Sequence, residues 1–304
     1  SPDGWFLDDV RVYVPALEYF PITITQPFEE DFETGNLRPM WAWRFADATN
    51  TLATIPTRPS NYTEVQTQYT HTGQYSVAMG KTCDDGFATN ALDLHLNLQG
   101  QPKAELTFWI LDYSDETQAN DGIYFSDNGG ATFKKMFGFQ PSDWCDYQYG
   151  QFPPIEIHKL AAQYGLALTS QFVIRFQQHD DGDFGGSPDG WFLDDVRVYV
   201  PALEYASVPF QEDFETGNLR PMWAWRFADA TALPATDVTR PSNYVFVDPN
   251  YAHTGQYSAT FGKRCDDGLA TNALDLHLNL AGASGVKLSF WINVWAEETH
   301  IQDG

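Results

Sequence analysis

The chain has 304 residues and carries 41 acidic against 17 basic side chains, a formal net charge of −24. That sign excludes a nucleic-acid-binding role, because phosphate backbones demand positive charge, and leaves cations or neutral surfaces as partners. Hydrophobic residues at 43% and aromatics at 15% exclude a disordered chain, and no apolar run is long enough to span a membrane.

Read in chain order, the first element is a repeat. Residues 1 to 19, SPDGWFLDDVRVYVPALEY, recur letter for letter at 187 to 205, and DFETGNLRPMWAWRFADAT at 31 to 49 returns at 213 to 231. The correspondence then runs without a gap from Asp31–Gly122 to Asp213–Gly304. The two offsets, 186 and 182 residues, differ only at the junction, where FPITITQPFEED in the first copy becomes ASVPFQED in the second. That junction reads as a linker. The block ending DDVRVYV precedes it both times and closes a domain, whereas DFETGNL opens one. The phase therefore predicts a closing strand of a preceding repeat at 1–19, a complete repeat at 20–205, and the first part of a following repeat at 206–304, a window on a longer repeating chain.

Within the complete repeat the pattern is β throughout. Leu92, Leu94, Leu96 and Leu98 alternate with Asp93, His95 and Asn97, the period of a strand with one face on a core. AELTFWI, GIYFS, TFKKMF, QFVIRFQ and WFLDDVRVYV are rich in branched and aromatic residues and are separated by Gly, Asn, Asp and Pro. Ser126-Asp127-Asn128-Gly129-Gly130 predicts a hairpin between Ile123–Phe125 and Thr132–Phe137. One short helix is expected, His158 to Tyr164, ended by Gly165. Many short strands with turn signals imply an all-β fold of tandem antiparallel jelly-roll β-sandwich domains joined by short linkers.

An opening DFETG followed by Trp, a middle LDLHLNL and AELTFWI, a hairpin GIYFSDNGGATF and a closing FVIRFQQ with DGWFLDDVRV together resemble the MAM-like jelly rolls, among them cleaved-adhesin domains of bacterial surface proteins and reelin-type subrepeats. The resemblance spans the complete repeat. It implies secretion, a structural calcium ion, and a part in adhesion or carbohydrate binding.

Site expectations follow. Calcium wants several oxygen ligands, and Asp31 and Glu33 near the opening strand are expected to meet Asp194 or Asp195 on the closing strand. If Phe192, Val196 and Val198 face inward, so does Asp194, and a buried carboxylate needs a cation or a partner; backbone amides, Arg197 or Arg175 are the alternative. Asp213 and Glu215 repeat the opening half of that site. Cys83 and Cys145 are expected to form one disulfide per repeat, which places the protein in an oxidising compartment; two buried free thiols are the alternative. Asn61-Tyr62-Thr63 is an N-glycosylation sequon that the second copy, Asn243-Tyr244-Val245, lacks. Trp41, Trp43 and Trp144 are candidate platforms for sugar rings, and buried core residues otherwise. No G-x-S-x-G, H-E-x-x-H or phosphate-binding glycine loop is present, so catalysis is not expected. The function expected is structural or adhesive: an extracellular or cell-surface fibre or stalk of calcium-stabilised repeats, with neighbouring repeats, and other copies in a filament, as partners. A carbohydrate-binding module array, with glycans as partners, is the alternative.

Overall fold

The structure is a computed structural model, and it describes residues 17–44, 61–81, 88–101, 103–113, 118–138, 147–180, 189–202, 204–226, 243–263 and 272–294. The complete repeat contains β1 (Phe20–Pro21), β2 (Phe28–Glu30), β3 (Trp41–Arg44), β4 (Asn61–Gln66), β5 (Ser76–Lys81), β6 (Ala88–Asn97), β7 (Glu105–Tyr113), β8 (Gly122–Ser126), β9 (Lys134–Phe137), β10 (Gly150–Glu156), α1 (Ile157–Gln163), β11 (Phe172–Asp180) and β12 (Asp189–Tyr199). Two six-stranded sheets face each other. One runs β1-β6-β11-β8-β9 with β3 also on β6; the other runs β10-β7-β12-β5-β4 with β2 also on β12. Every pairing is antiparallel except β1 with β6. This is the jelly-roll sandwich that the alternation predicts.

The side-chain period of two builds the core. Leu92, Leu94 and Leu96 from β6 and Phe172, Ile174 and Phe176 from β11 meet Leu106, Phe108 and Ile110 from β7 and Leu193, Val196 and Val198 from β12. Each such side chain contributes roughly 1.5–3 kcal/mol over leaving it in water. The predicted hairpin is β8 with β9, and Gly129 and Gly130 take the left-handed backbone its turn requires. The predicted helix is α1. Gly165 follows it at φ +67°, with Leu166 N–H donating to the Ala161 carbonyl and Gly165 N–H to the Ala162 carbonyl, a Schellman ending.

Two expectations need correcting. The segment read as a linker is part of the sandwich: it supplies β1 and β2, and Ile22 and Phe28 are core residues. The inward parity proposed for Asp194 also fails, because β12 carries a bulge. Asp194 pairs with Trp109 but Arg197 with Thr107, so β12 spends one residue more than β7, and Asp195 takes φ +46°. Trp191, Leu193, Val196 and Val198 therefore face the core, while Phe192 joins Ala78 and Leu111 on the outer face.

The following repeat shows β13 (Ala206–Ser207), β14 (Trp223–Arg226), β15 (Asn243–Asp248), β16 (Ser258–Lys263), β17 (Ala273–Leu276) and β18 (Leu278–Asn279), paired β13 with β18, β14 with β17 and β15 with β16. Among the described residues no helix is long and apolar enough to cross a membrane.

One opening motif is built identically in both copies. Glu30 is buried and accepts from Trp41 Nε1 at 2.9 Å and from Phe32 N–H at 3.2 Å, with Arg38 at 3.6 Å. These bonds hold Phe32 at φ +57°, a conformation costing a bulky residue on the order of 1–3 kcal/mol. In the second copy Glu212 receives Trp223 Nε1 and Phe214 N–H, and Phe214 sits at φ +59°. Trp41→Phe keeps the apolar ring but strips a donor from a buried carboxylate, so urea unfolding should show a loss of about 1–3 kcal/mol; an unchanged midpoint would show that Glu30 finds another partner.

Candidate functional site

The outer face of the first sheet carries polar side chains where solvent-facing ones were expected. Across β3, β6, β11, β8 and β9 the register sets Ala42, Asp93, Arg175, Tyr124 and Lys135 in one transverse row. Arg175 grips Asp93 with Nε at 2.7 Å and Nη2 at 3.0 Å, and the ring of Phe133 lies 3.7 Å from its guanidinium carbon. Both partners are buried, so removing either strands a charge. Beside the row lie His95 on one side and Ala91 with Gln177 on the other; Arg44 is the register partner of Ala91.

Two of these side chains have unmet hydrogen-bonding capacity. His95 is buried, and neither ring nitrogen has a hydrogen-bond partner among the described residues; its ring meets only the edge of Tyr19, at 5.1 Å and 83°. Burial holds its pKa below the ordinary histidine value despite Asp93 nearby, so at neutral pH it offers one donor and one acceptor. Gln177 donates from Nε2 to the Asn120 carbonyl, but its Oε1 is enclosed without a donor. The face opens at the end of β3, where Arg44 is exposed; Trp43, the register partner of Leu92, lies on the opposite face with Trp41 and is 40% exposed. Asp93 and His95 were visible in the sequence as the polar half of LDLHLNL, yet alternation alone assigns that half to water. The available signal was Arg175, a charge inside the apolar run FVIRFQ, which pairs with Asp93 and not with Asp194.

The aromatic candidates separate. Trp41 is 5% exposed and packs against Phe28, Phe32 and Phe176, so it is a core residue and no platform. Trp43 reaches the surface, and Trp144 lies outside the described residues. A second aromatic group covers the outer face of the other sheet, where Tyr62, Tyr69, Tyr113 and Tyr149 surround Ala78, Leu111 and Phe192. Its rings meet edge to face, Tyr69 with Phe192 at 64° and Tyr113 with Tyr147 at 83°, which is the geometry of mutual packing and not of a coplanar sugar platform.

Three of the acidic candidates, Glu33, Asp194 and Asp195, bond to one loop, His71–Tyr75. Asp194 is fully buried; its Oδ2 accepts the N–H groups of His71 at 2.9 Å and Thr72 at 3.3 Å, and its Oδ1 that of Asp195 at 2.8 Å. Asp195 receives His71 Nδ1 at 2.6 Å and Thr72 Oγ1 at 2.9 Å. Glu33 takes Gln74 and Tyr75 N–H, both at 2.8 Å, and Asp31 takes Glu33 N–H. In the second copy Glu215 takes Gln256 and Tyr257 N–H, and Asp213 takes Glu215 N–H. The donor set is one of hard oxygens suited to calcium. Backbone amides, the alternative weighed for Asp194, nevertheless occupy those oxygens, and among the described residues no three His, Cys, Asp or Glu side chains are grouped to hold a metal ion.

Cys83 and Cys145 lie outside the described residues. Asn61 of the sequon is 9% exposed, with Nδ2 and Oδ1 enclosed and without partners, so the folded domain does not offer its amide for glycosylation.

No protein-family description and no curated protein sequence matches the chain. Among solved structures, the CBM22-1–CBM22-2 tandem domain of Paenibacillus barcinonensis Xyn10C aligns at 15% identity over 76% of this chain, with a TM-score of 0.35; the chain covers 59% of that structure's length. The K1 cleaved adhesin domain of Lys-gingipain from Porphyromonas gingivalis aligns at 16% identity over 58% of this chain and 98% of that domain, with a TM-score of 0.37. TmCBM61, solved with β-1,4-galactotriose, aligns at 16% identity over 56% of this chain and 94% of its own, with a TM-score of 0.31.

Burial raises the Asp194 carboxyl from 3.8 to about 6, while Asp195, which burial alone would also raise, is held below its ordinary value by bonds from His71 and Thr72. The folded state thus holds the Asp194 proton more tightly than the unfolded chain. Its contribution to stability is fully present below pH 3.8 and declines as pH rises to about 6. Carbon-detected NMR titration of the Asp194 carboxyl in metal-free buffer should give a midpoint near 6; a value in the ordinary carboxylate range would overturn the assignment.

Proposed function

We propose that the chain is a segment of a secreted or cell-surface protein whose β-sandwich repeats bind carbohydrate through the outer face of the first sheet. The observation that carries this is the pairing of buried groups without partners among the described residues, both nitrogens of His95 and Oε1 of Gln177, with the fixed Asp93–Arg175 row and the exposed Arg44 at its rim. An enclosed donor or acceptor without a partner costs about 1–3 kcal/mol, and a hydroxyl-rich ligand is the neutral chemistry that satisfies several at once. Tyr19 and Phe133, both half-buried, add ring surface against which the apolar faces of a sugar pack. Lys135 in the row and Arg44 beside it are cationic in a chain of net charge −24, so this face admits neutral or uronic-acid-containing polysaccharides better than the rest of the surface does.

A glycan array probed with the 304-residue chain should return polysaccharide binding. Arg44→Ala, at an exposed position, and His95→Leu, which conserves bulk, should each weaken it at least tenfold while circular dichroism stays unchanged. Absence of binding across the array, or binding indifferent to both substitutions, sinks the proposal.

We also propose that calcium joins the opening and closing segments at the His71–Tyr75 loop, supported by the oxygen-rich chemistry of Glu33, Asp194 and Asp195, each of which bonds to that loop. Millimolar calcium should raise the melting temperature of the chain by several degrees over chelated protein through preferential binding to the folded state; identical melting curves would leave the amide-satisfied loop as the complete account.

A further inference from the structure

The segment VPALEY stands at 14–19 and again at 200–205, ending one repeat by sequence and followed by different residues each time. Its last two residues are bonded to the repeat that comes after. Glu18 N–H donates to the Pro39 carbonyl at 3.3 Å, and Glu204 N–H to the Pro221 carbonyl at 3.3 Å. Tyr19 meets His95 edge-on at 5.1 Å and 83°, and Tyr205 meets His277 at 5.5 Å and 83°. The next two residues then add a parallel strand: Phe20 and Pro21 pair with Leu96 and Asn97, and Ala206 and Ser207 pair with Leu278 and Asn279. The contacts are the same although Phe20-Pro21 has become Ala206-Ser207. The docking therefore depends on backbone groups and the Tyr–His contact.

We infer that the tail of each repeat is built into the first sheet of the next, so that successive repeats are joined in one fixed orientation as a rod, not as beads on a flexible string. The closing strand β12 ends at Tyr199, Val200 still packs against its core, and Glu204 is already anchored, so at most four residues separate the strand from the anchor. Four residues reach at most roughly 13–14 Å when fully extended, and Pro201 stiffens them. The four-residue difference between the junctions does not touch this segment. It falls between β1 and β2, where Thr23 and Gln26 close a turn by reciprocal backbone hydrogen bonds and Ile24 is 61% exposed. The partner of the surface formed by Pro39, His95 and the β1-pairing end of β6 is thus the preceding repeat of the same chain. This holds independently of what the repeats bind.

Two measurements on the 304-residue chain test it. Hydrogen exchange should show the amides of Glu18, Ile22, Glu204 and Ala206 protected well above the unfolded rate; exchange at the unfolded rate overturns the inference. Spin labels introduced as non-natural residues at exposed Lys103 and Thr254, leaving the cysteines untouched, should give one narrow distance by pulsed electron resonance. Insertion of three glycines after Pro201 should broaden that distance without moving the melting temperature of the complete repeat. A broad distribution in the unmodified chain, or none of the expected broadening after insertion, would show that the junction is not fixed.

Discussion

The carboxylate of Asp194 is the constraint around which the sandwich closes. It is buried on the closing strand, and a buried carboxylate must collect hydrogen bonds or be neutralised. It collects three backbone N–H groups, two of them from the His71–Thr72 turn and one from Asp195, and the last is within reach because Asp195 adopts a left-handed conformation. That conformation is the bulge, and the bulge inverts which residues of β12 face the core. Phe192 goes outward before it, and Val196 and Val198 go inward after it. The same loop, two residues further on, gives its N–H groups to Glu33, just after β2. Opening segment, turn and closing strand are thus tied by carboxylate-to-amide bonds, which explains why acidic residues sit at both ends of the repeat.

Much of the fold was legible because alternation is a strong signal where a strand has one face on a core. LDLHLNL, the SDNGG turn and the Gly165 helix ending behave as their residue chemistry dictates. Parity failed at Asp194 because a bulge leaves no mark in a pattern of polar and apolar residues; two adjacent aspartates fit either an uninterrupted or a bulged strand. The junction failed for a different reason. FPITITQP has the proline and threonine content of a linker, yet Ile22 and Phe28 are anchors whose burial depends on partners far away in sequence. The candidate binding face was the least legible part. Asp93 and His95 read as solvent-facing because the alternation says which side a residue takes, not whether that side is covered.

The two outer faces show how one composition serves two purposes. On the second sheet the aromatic rings meet one another edge to face, and tyrosine hydroxyls reach backbone groups, as Tyr149 does with the Tyr69 carbonyl. Such a face satisfies itself. On the first sheet the rings are spread out, Tyr19 against His95 and Phe133 against Arg175, with hydrogen-bonding groups between them that the chain leaves unmet. Composition is similar on the two faces, and the difference lies in which polar atoms have partners.

The binding face and the junction share residues. Tyr19 comes from the segment that ends one repeat by sequence, yet it lies against His95 of the next. Each repeat thereby completes part of the polar face of its successor, and a repeat cut off before its preceding VPALEY lacks both the edge strand and the ring over His95. The described contacts change hands between Val200, packed on the core of one repeat, and Glu204, bonded to the next. On the proposed function, such a chain would couple ligand binding to assembly geometry, because Tyr19, at the junction of one repeat with the next, also lines the surface that would meet the ligand.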